Sequence, residues 1–243
     1  MADGIKIGNL DISAFKVGSG DCDVYLGDVK VYPPTPSHEY VEIGGVKWAT
    51  MNVGATGVTD TGLYFQWGDI SGYTAAQCGS GSGQKYFGWA DYKYGNGTSS
   101  PSKTDMTKYN ETDGKTVLEA SDDAVIANWG GSWRMPTTEE YIALGDAVNT
   151  AWTTDYQESG VRGLVCTDKT DSSKVLFFPT TGWCSNGALQ WARSYGWYWS
   201  NSISSLNGVL YGNDLAFSSS IAHWNSNGES RNLGLPVRGI LSE

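Results

Sequence analysis

Two pairs of adjacent carboxylates have the residue types for general acid–base chemistry. Asp122 stands beside Asp123, and Glu139 beside Glu140. Paired carboxyl groups can serve as acid and base in one reaction. Each pair nevertheless begins a segment with helical character, where carboxylates complement the positive end of the helix dipole. We therefore predict a structural role for both pairs and no enzymatic activity.

The chain has few residues for thiol or imidazole chemistry, with four cysteines and two histidines. The cysteines lack a CxxC spacing, and there are only two histidines. The residues are Cys22, Cys78, Cys166, Cys184, His38 and His223. A structural zinc site needs closely spaced ligands of these types. We expect no metal, no cofactor and buried thiols, with a disulfide left open. Asn213 and Asp214 offer only a weak calcium site, and a structural calcium elsewhere is also left open.

Binding chemistry is more prominent, in the stretch YWSNSISSLNGVLYGNDLAFSSSIAHWNSNGESRNLGLPVRG from Tyr198 to Gly239. Nearly half of positions 200–232 are Ser or Asn, and the charged residues there are Asp214, Glu229 and Arg231. Scattered Trp, Tyr and His complete the mixture. Aromatic side chains supply contact area and Ser and Asn supply adaptable hydrogen bonds at binding surfaces. The composition therefore does not resemble a solvated linker.

Composition limits the classes of fold and partner. The chain has 243 residues, 40% hydrophobic and 13% aromatic, which suits one domain plus an appendage. Its 32 glycines and 17% charged residues favour many short strands and turns. A net charge of −10 argues against nucleic acid or an anionic membrane. The apolar runs are too short to insert into a bilayer.

The N-terminus has no signal peptide, so either the leader is missing or the protein is made in a cytoplasm.

The elements that must position the binding stretch divide the chain into three parts. Residues 1–33 have two hairpin-like repeats and predict a small β attachment segment. Residues 34–38 form a Pro-rich joint, and residues 39–243 form the main domain. In this domain we predict a hairpin at Gly44–Gly45 and a strand in GLYFQWGD. The region from Ser71 to Lys115 is expected to be a long loop held by its aromatic residues.

Two helices and several further strands should complete the domain. SDDAVIANW predicts a helix capped by Ser121. PTTEEYIALGDAV predicts a second helix whose buried stripe contains Tyr141, Leu144 and Val148. The segments GVRGLVCTD and KVLFFPTTGW predict strands. This order indicates an α+β fold with short antiparallel strands. In GWYW, either Tyr198 is buried with Trp197 and Trp199 exposed, or the reverse.

Several motifs in order resemble one family. They are EYVEIGGVKWATMNVGA, YFQWGD, SDDAVIANWGGSWRMPTTEEYIAL, FFPTTGW, GWYWSNS and GLPVRG. This series resembles the FISUMP-type branch of the C-type lectin fold, found in gut bacteria and their phages. The resemblance implies a C-type lectin-like domain. The same fold also carries formylglycine-generating enzymes, but the cysteine and histidine residues here lack the surroundings of that family.

Some members of this fold look like targets of diversity-generating retroelements, which mutate adenines in the final segment of the gene. The ending RNLGLPVRG resembles the fixed end of such a variable region, placed here at about 195–238. Asn codons mutated at adenine never give Lys, Glu, Gln, Trp or Met, and positions 200–232 contain no Lys. Trp224 and Glu229 depart from this pattern. At period 2, Leu215, Phe217 and Ile221 should face the core. Asp214, Ala216, Ser218 and Ser220 should then face outward together.

The resemblance implies a ligand-binding surface made of exposed, variable positions. We expect it to contain Tyr195, Trp197, Tyr211, Asn213, Asp214, Ala216, Ser218, Ser220, His223, Asn225, Asn227, Ser230 and Asn232, with Trp224 as a fixed anchor. The expected scaffold residues are Trp129, Trp133, Arg134, Leu215, Phe217, Val237 and Arg238. The expected function is recognition of a host-cell surface protein or glycan by a phage tail or surface adhesin.

A short N-terminal motif extends this expectation to location. VYLGDVKVYP, from Val24 to Pro33, resembles segments of phage tail and baseplate proteins. It implies attachment of the domain to a larger virion or surface assembly, and therefore a virion or extracellular location. The main alternative is a structural virion or cell-surface protein of the same fold whose C-terminal segment is not diversified.

Overall fold

The structure, a computed structural model, describes residues 38–204 and 208–242 together with the backbone of five short strands before them. The strands are β1 Lys6–Ile7, β2 Leu10–Asp11, β3 Ala14–Val17, β4 Cys22–Leu26, β5 Val29–Tyr32, β6 Tyr40–Ile43, β7 Val46–Asn52, β8 Trp133–Arg134, β9 Val148–Thr153, β10 Gly163–Asp168, β11 Val175–Pro179, β12 Trp183–Ser185, β13 Ala188–Gln190, β14 Tyr195–Ser204, β15 Gly208–Ser218, β16 Ala222–His223, β17 Glu229–Ser230 and β18 Arg238–Leu241. The helices are α1 Ala124–Trp129 and α2 Thr138–Ala147. These strands pair antiparallel, so the α+β class is confirmed.

The strands of the N-terminal segment form two small sheets. β1 pairs with β2, and β3, β4 and β5 form a three-stranded sheet. The second sheet includes the two repeats in which hairpin strands were predicted. Of the predicted joint at 34–38, the structure describes only His38, whose ring stacks on Trp129 with centroids 3.9 Å apart.

One four-stranded sheet joins the beginning and the end of the main domain. Its order is β6-β7-β18-β8. The predicted hairpin between β6 and β7 is confirmed, and Gly44 and Gly45 have φ of +61° and +79°. Only glycine adopts such angles without strain. The last strand, β18, lies between β7 and β8, so the C-terminal GLPVRG motif enters the middle of the sheet.

Both predicted helices form, and each is capped with the help of one member of its acidic pair. α2 begins with a capping box in which the Thr137 hydroxyl accepts from Glu140 N, and Glu140 accepts from Thr137 N. α1 is capped by Asp123 rather than by Ser121. The prediction of Ser121 is wrong because residues 120–122 form a separate 3-10 turn, and the α-helix begins only after it.

Aromatic residues hold the long loop in place, as predicted. Phe87, Tyr92 and Tyr94 are buried within it, whereas Tyr86 remains exposed. The strand predicted in GLYFQWGD does not form. Residues 64 and 65 make only isolated bridges, to Tyr73 and Leu235, although their side chains are fully buried. Their burial accounts for the apolar pattern without a regular ladder.

The remaining strands form three further sheets around the C-terminal hairpin. β11-β10-β9 is one sheet, β12-β13 is a hairpin, and β14-β15-β16 is a third sheet in which β17 also pairs with β15. Hydrophobic clusters cover both faces of the long β14–β15 hairpin. Trp197 and Trp199 belong to one cluster, and Tyr198, Leu215 and Phe217 to the other. The expectation that one side of GWYW is exposed is therefore wrong, because both sides are packed.

Two buried arginines tie loops to the core. The Arg238 guanidinium donates to Asn52 Oδ1 at 2.8 Å and to the carbonyl oxygens of Ala49, Thr50 and Phe177. Arg231 likewise donates to the Tyr92 hydroxyl at 2.7 Å and to three backbone carbonyls, those of Lys108, Tyr109 and Val209. Carbonyl oxygens of the protein replace water as the acceptors of each guanidinium. Because one arginine bonds to several carbonyls, it holds together the segments to which they belong.

Candidate recognition surface

The strand register places many of the predicted site residues on one face of the β14–β15–β16 sheet. Trp197 is opposite Ala216, and Ala216 is opposite His223. Tyr195 is opposite Ser218 in the same ladder. Residues directly opposite one another share a face, and side chains alternate along each strand. The prediction that Asp214, Ala216 and Ser218 share a face therefore agrees with the register, whereas Ser220, expected on the same face, lies beyond the end of β15.

Exposure divides the predicted site residues into three groups. Tyr195, Ser220, His223 and Asn227 are exposed. Tyr211, Ala216, Trp224, Asn225 and Ser230 are half-buried. Trp197, Asn213, Asp214, Ser218 and Asn232 are buried. The expectation of exposure is thus wrong for the third group. The expectation that Ile221 faces the core is also wrong, because the residue is 48% exposed in the turn after β15.

Asp214 lies directly opposite Trp199 in the β14–β15 ladder. The hydrophobic cluster that contains Trp199 covers this part of the sheet face, which accounts for the burial of Asp214. Only 1% of Asp214 is exposed, and the Ser226 hydroxyl donates to its Oδ1. Burial, together with the nearby charge of Glu229, raises the pKa of Asp214 well above its usual value. The carboxyl is therefore an internal group and no part of an exposed surface.

The other buried positions have their own contacts. Asn213 lies on the opposite face and donates through Nδ2 to the Thr138 hydroxyl at 3.0 Å. Asn232 turns inward and donates through Nδ2 to Phe87 O at 3.1 Å. Ser218 lies beside Ser220, with their hydroxyl oxygens 3.2 Å apart. Trp197 is covered by Trp183 and Tyr195.

A continuous row of four aromatic rings leads from the core to solvent. We call Trp183, Trp197, Tyr195 and Trp191 the aromatic strip. Successive ring centroids lie 4.3, 5.0 and 5.9 Å apart. Exposure rises along the strip from 7% at Trp197 to 38% at Tyr195 and 57% at Trp191. The outer rings are therefore supported by buried Trp197, on which half-buried Trp183 also packs.

Trp191 is a surface residue that the predicted site omitted. It has φ of +60°, which is a strained conformation for a bulky residue. Its backbone carbonyl accepts from Ser194 N and Tyr195 N, and these bonds hold the turn that presents the ring. Strain of this kind persists where the surroundings impose it, and it is concentrated at functional sites. The sequence signal for Trp191 was only its residue type, since no periodicity marks a turn.

We define the recognition face as Trp191, Tyr195, Ala216, Ser220 and His223. These residues are linked by the Trp191–Tyr195 ring contact, by the β14–β15–β16 register and by the Ser218–Ser220 pair. Aromatic rings, a hydroxyl and an imidazole meet here on a sheet whose other face is packed. The arrangement offers contact area and hydrogen bonds from rigid supports.

The other predicted residues lie in different places. Asn213 and Asn225 line a groove of about 570 Å³ near the start of α2. Ser230 and Asn232 line a pocket of about 400 Å³ beside the long loop. Trp224 packs over α2, where a Cβ on Gly145 would lie 2.4 Å from its ring. The predicted residues therefore do not form one surface.

Six of the seven expected scaffold residues are buried. Trp129, Trp133, Leu215, Phe217, Val237 and Arg238 are buried. Arg134 is half-buried and forms a two-bond ion pair with Glu140, with N–O distances of 2.6 and 2.8 Å. Bidentate pairs of this kind fix orientation as well as charge.

The acid pair before α1 has every carboxylate oxygen engaged. Asp122 accepts from Lys93, Lys108 and the Tyr109 hydroxyl. Burial alone would raise the pKa of Asp122, but these bonds hold it well below its usual range. Asp123 accepts only backbone N–H groups, and burial raises its pKa. The prediction of structural roles agrees with these contacts.

The side chains of Cys78, Cys166 and Cys184 are described, and all three are free thiols. Cys166 and Cys184 occupy different clusters, and Cys184 is next to Cys78. Burial raises the pKa of the Cys166 thiol and, together with Cys78, that of Cys184. Both thiols are therefore protonated at neutral pH, the form that is poorly nucleophilic.

Within residues 38–204 and 208–242, no three His, Cys, Asp or Glu side chains are grouped closely enough to hold a metal ion. None of the helices in the described part of the chain has the length and apolar character needed to cross a membrane. In comparisons with known proteins, no family model, no curated protein and no solved structure matches the chain.

Proposed function

We propose that the protein is a recognition module that binds a host-cell surface protein or glycan through the recognition face. The observation that carries this proposal is the aromatic strip, in which exposure increases from buried Trp197 to Tyr195 and Trp191. Large aromatic side chains give much contact area for little loss of side-chain entropy, and they dominate binding energy at interfaces. Rigid support from below lowers the ordering cost of binding further.

We further propose that the scaffold is C-type lectin-like. The order of motifs and the burial of their aromatic residues support this assignment. The return of the GLPVRG segment into the sheet of β6 and β7 also supports it, because it holds the end of the domain against its beginning. The N-terminal strands, in this proposal, attach the domain to a virion, such as a phage tail, or to another extracellular assembly.

Retroelement diversification is proposed only for exposed positions. Tyr195, Ser220 and His223 are exposed, so their replacement costs few core contacts, whereas Ala216 is half-buried and packs on the cluster around Trp199. Substitution of Asp214 or Asn232 would instead disturb buried groups. If the gene is diversified, functional copies should therefore vary at the first set and keep the second.

A non-diversified structural or surface protein is the second candidate function. The burial of Asn213, Asp214 and Asn232 favours it, because a segment rewritten at every Asn-like codon would place random residues in the core. Sequencing of the neighbouring genes separates the two candidates. An adjacent reverse transcriptase with an adenine-rich repeat of the 195–238 coding segment supports diversification, and the lack of both supports the second candidate.

The binding proposal is tested with the purified full chain, fluorescently labelled and applied to a panel of gut bacterial strains. The face variant combines Trp191→Ala, Tyr195→Ala and His223→Ala. The control variant combines Tyr40→Ala and Val175→Ala, two exposed large residues on β6 and β11. We expect binding to particular strains that the face variant loses and the control variant keeps. Equal binding by both variants would refute the recognition face.

A further inference from the structure

A small pocket of about 210 Å³ is lined in part by the turn that follows Trp191. Ala192 and Arg193 of this turn line it, together with Arg162 just before β10 and Thr180 just after β11. None of the five residues of the recognition face lines the pocket. Its chemistry is therefore independent of that face.

The two arginines of the pocket lack an acidic partner. Arg162 is half-buried and Arg193 is exposed, and neither forms an ion pair with a described residue. The chain has 26 acidic residues against 16 basic ones, so a shortage of carboxylates does not explain this. Arg162 donates one N–H to Arg193 O at 3.3 Å, which directs its guanidinium toward the turn. The other guanidinium N–H groups remain as donors.

Thr180 adds a buried hydroxyl that no described residue uses. Its side chain is 6% exposed, and its backbone N donates to Arg162 O at 2.8 Å. The hydroxyl itself takes part in no hydrogen bond within residues 38–204 and 208–242. The fully enclosed polar atoms without a partner belong to other residues, so this hydroxyl keeps access to the pocket that Thr180 lines. A buried hydroxyl that opens into a pocket can donate to a ligand there.

The carboxylates closest in sequence to the lining residues are engaged elsewhere. Asp60 accepts from Thr56 N at 3.0 Å and also from the Thr56 hydroxyl. Asp155 accepts from Gly160 N at 2.6 Å. No described carboxylate lines the pocket. An anion in the pocket would therefore meet positive charge without a competing negative group.

The donors and the volume together select the class of ligand. Two guanidinium groups and the hydroxyls of Thr59, Thr61 and Thr180 line the pocket. Guanidinium groups form bidentate hydrogen bonds with phosphate and related anions. A tetrahedral oxyanion has more oxygen atoms than a carboxylate to accept from this number of donors. Sites for larger organic ligands begin at about 300 Å³, so this pocket fits one such group. We propose that it binds a tetrahedral oxyanion, a phosphate or sulfate group.

The test uses the full chain and phosphorus NMR of inorganic phosphate, with the ionic strength held constant by chloride. We expect the protein to broaden the phosphate signal, and we expect sulfate to reverse the broadening where the same concentration of acetate does not. Glycerol phosphate then distinguishes the two sources of the group. Broadening at least as large as for inorganic phosphate indicates a group carried on a larger ligand, and weaker broadening indicates the free ion. No broadening of inorganic phosphate, or equal reversal by acetate, would overturn the proposal.

Variants locate the binding. Arg193→Gln removes one positive charge from the pocket, and the control Lys169→Gln removes one from an exposed position after β10. We expect Arg193→Gln to weaken phosphate binding about tenfold, as for the loss of a charge-assisted hydrogen bond, and Lys169→Gln to leave it unchanged. Thr180→Val keeps the side-chain shape and the backbone bond, and it should also weaken binding.

If Arg193→Gln binds phosphate as the Lys169→Gln control does, the anion is not in this pocket and the proposal fails. The face variant should bind phosphate normally, because none of its three changed residues lines the pocket. Failure of the recognition face and failure of the anion site are therefore distinguishable.

Discussion

The ring of Tyr195 lies on the ring of Trp197, with centroids 5.0 Å apart and planes inclined by 24°. The two residues are separated by one position on β14 and share a sheet face, yet one is exposed and the other is buried. This stack therefore joins a buried core residue to an exposed surface residue.

Truncation of the two stacked rings should therefore have unequal effects. Trp197→Ala is expected to lower the free energy of unfolding by about 3–5 kcal/mol, because it opens a cavity beneath the strip. Tyr195→Ala should cost less than about 1 kcal/mol. Urea denaturation of both variants measures the difference. Equal losses would mean that Tyr195 is part of the core and unsuited to a contact surface.

The acid pair at the start of α2 provides a second contrast. The Glu140 carboxylate accepts hydrogen bonds from the Arg134 guanidinium and from Thr137 N, whereas Glu139 is exposed. Glu140→Gln should lower stability by about 1–3 kcal/mol, because the charged pair and the cap are both weakened. Glu139→Gln should change it by less than about 0.5 kcal/mol. Thermal denaturation of the two variants side by side checks this, and a larger loss for Glu139→Gln would contradict the structural assignment.

Arg238 should not be replaceable by lysine. Its guanidinium donates to four oxygen atoms on two strands, β7 and β11, and an ammonium group cannot reproduce that fork. Arg238→Lys is expected to cost roughly 3 kcal/mol because buried carbonyls lose their donors. Arg193→Lys, at an exposed position, is the matched control and should be neutral. An Arg238→Lys protein as stable as the control would show that these bonds do not hold the sheet.

Stability should fall as pH rises from about 4.5 to about 7. Burial raises the pKa of Glu229 to about 7 from its usual 4.5. Between these two values the folded chain keeps a proton that the unfolded chain has lost, so folding is favoured below the window and loses this contribution as pH rises through about 7. Glu229→Gln should flatten the profile and raise stability at pH 8 by about 2 kcal/mol.

The control for this profile is Glu42→Gln, on the exposed side of β6. It should keep the wild-type slope. Urea midpoints measured between about pH 5 and pH 8 give the comparison. A Glu229→Gln profile parallel to the wild type would mean that another group, such as Asp214, carries the dependence.

The sequence predicted best what is decided locally. The hairpin at Gly44–Gly45 and the helix in PTTEEYIALGDAV depend on residues a few positions apart, and both are confirmed. The shared face of Asp214, Ala216 and Ser218 follows from strand alternation in the same way.

Exposure of that face could not be predicted, because it depends on what packs on it. The cluster around Trp199 covers Asp214, whereas Tyr195 lies on the edge of the same cluster at Trp197 and stays exposed. The segments that build this cluster are distant in sequence, from Ala49 to Val237. Trp191 was missed for a related reason: a strained turn presents its ring, and no periodic pattern encodes such a turn.

The most direct test of the recognition face compares binding and stability in one experiment. Labelled wild type, the Trp191→Ala/Tyr195→Ala/His223→Ala variant and the Tyr40→Ala/Val175→Ala control are melted and then applied to the same bacterial panel by flow cytometry. We predict closely similar melting curves for all three proteins and loss of cell binding only for the face variant. A face variant that binds cells as the wild type does, or a wild type that binds no strain of the panel, would contradict the account.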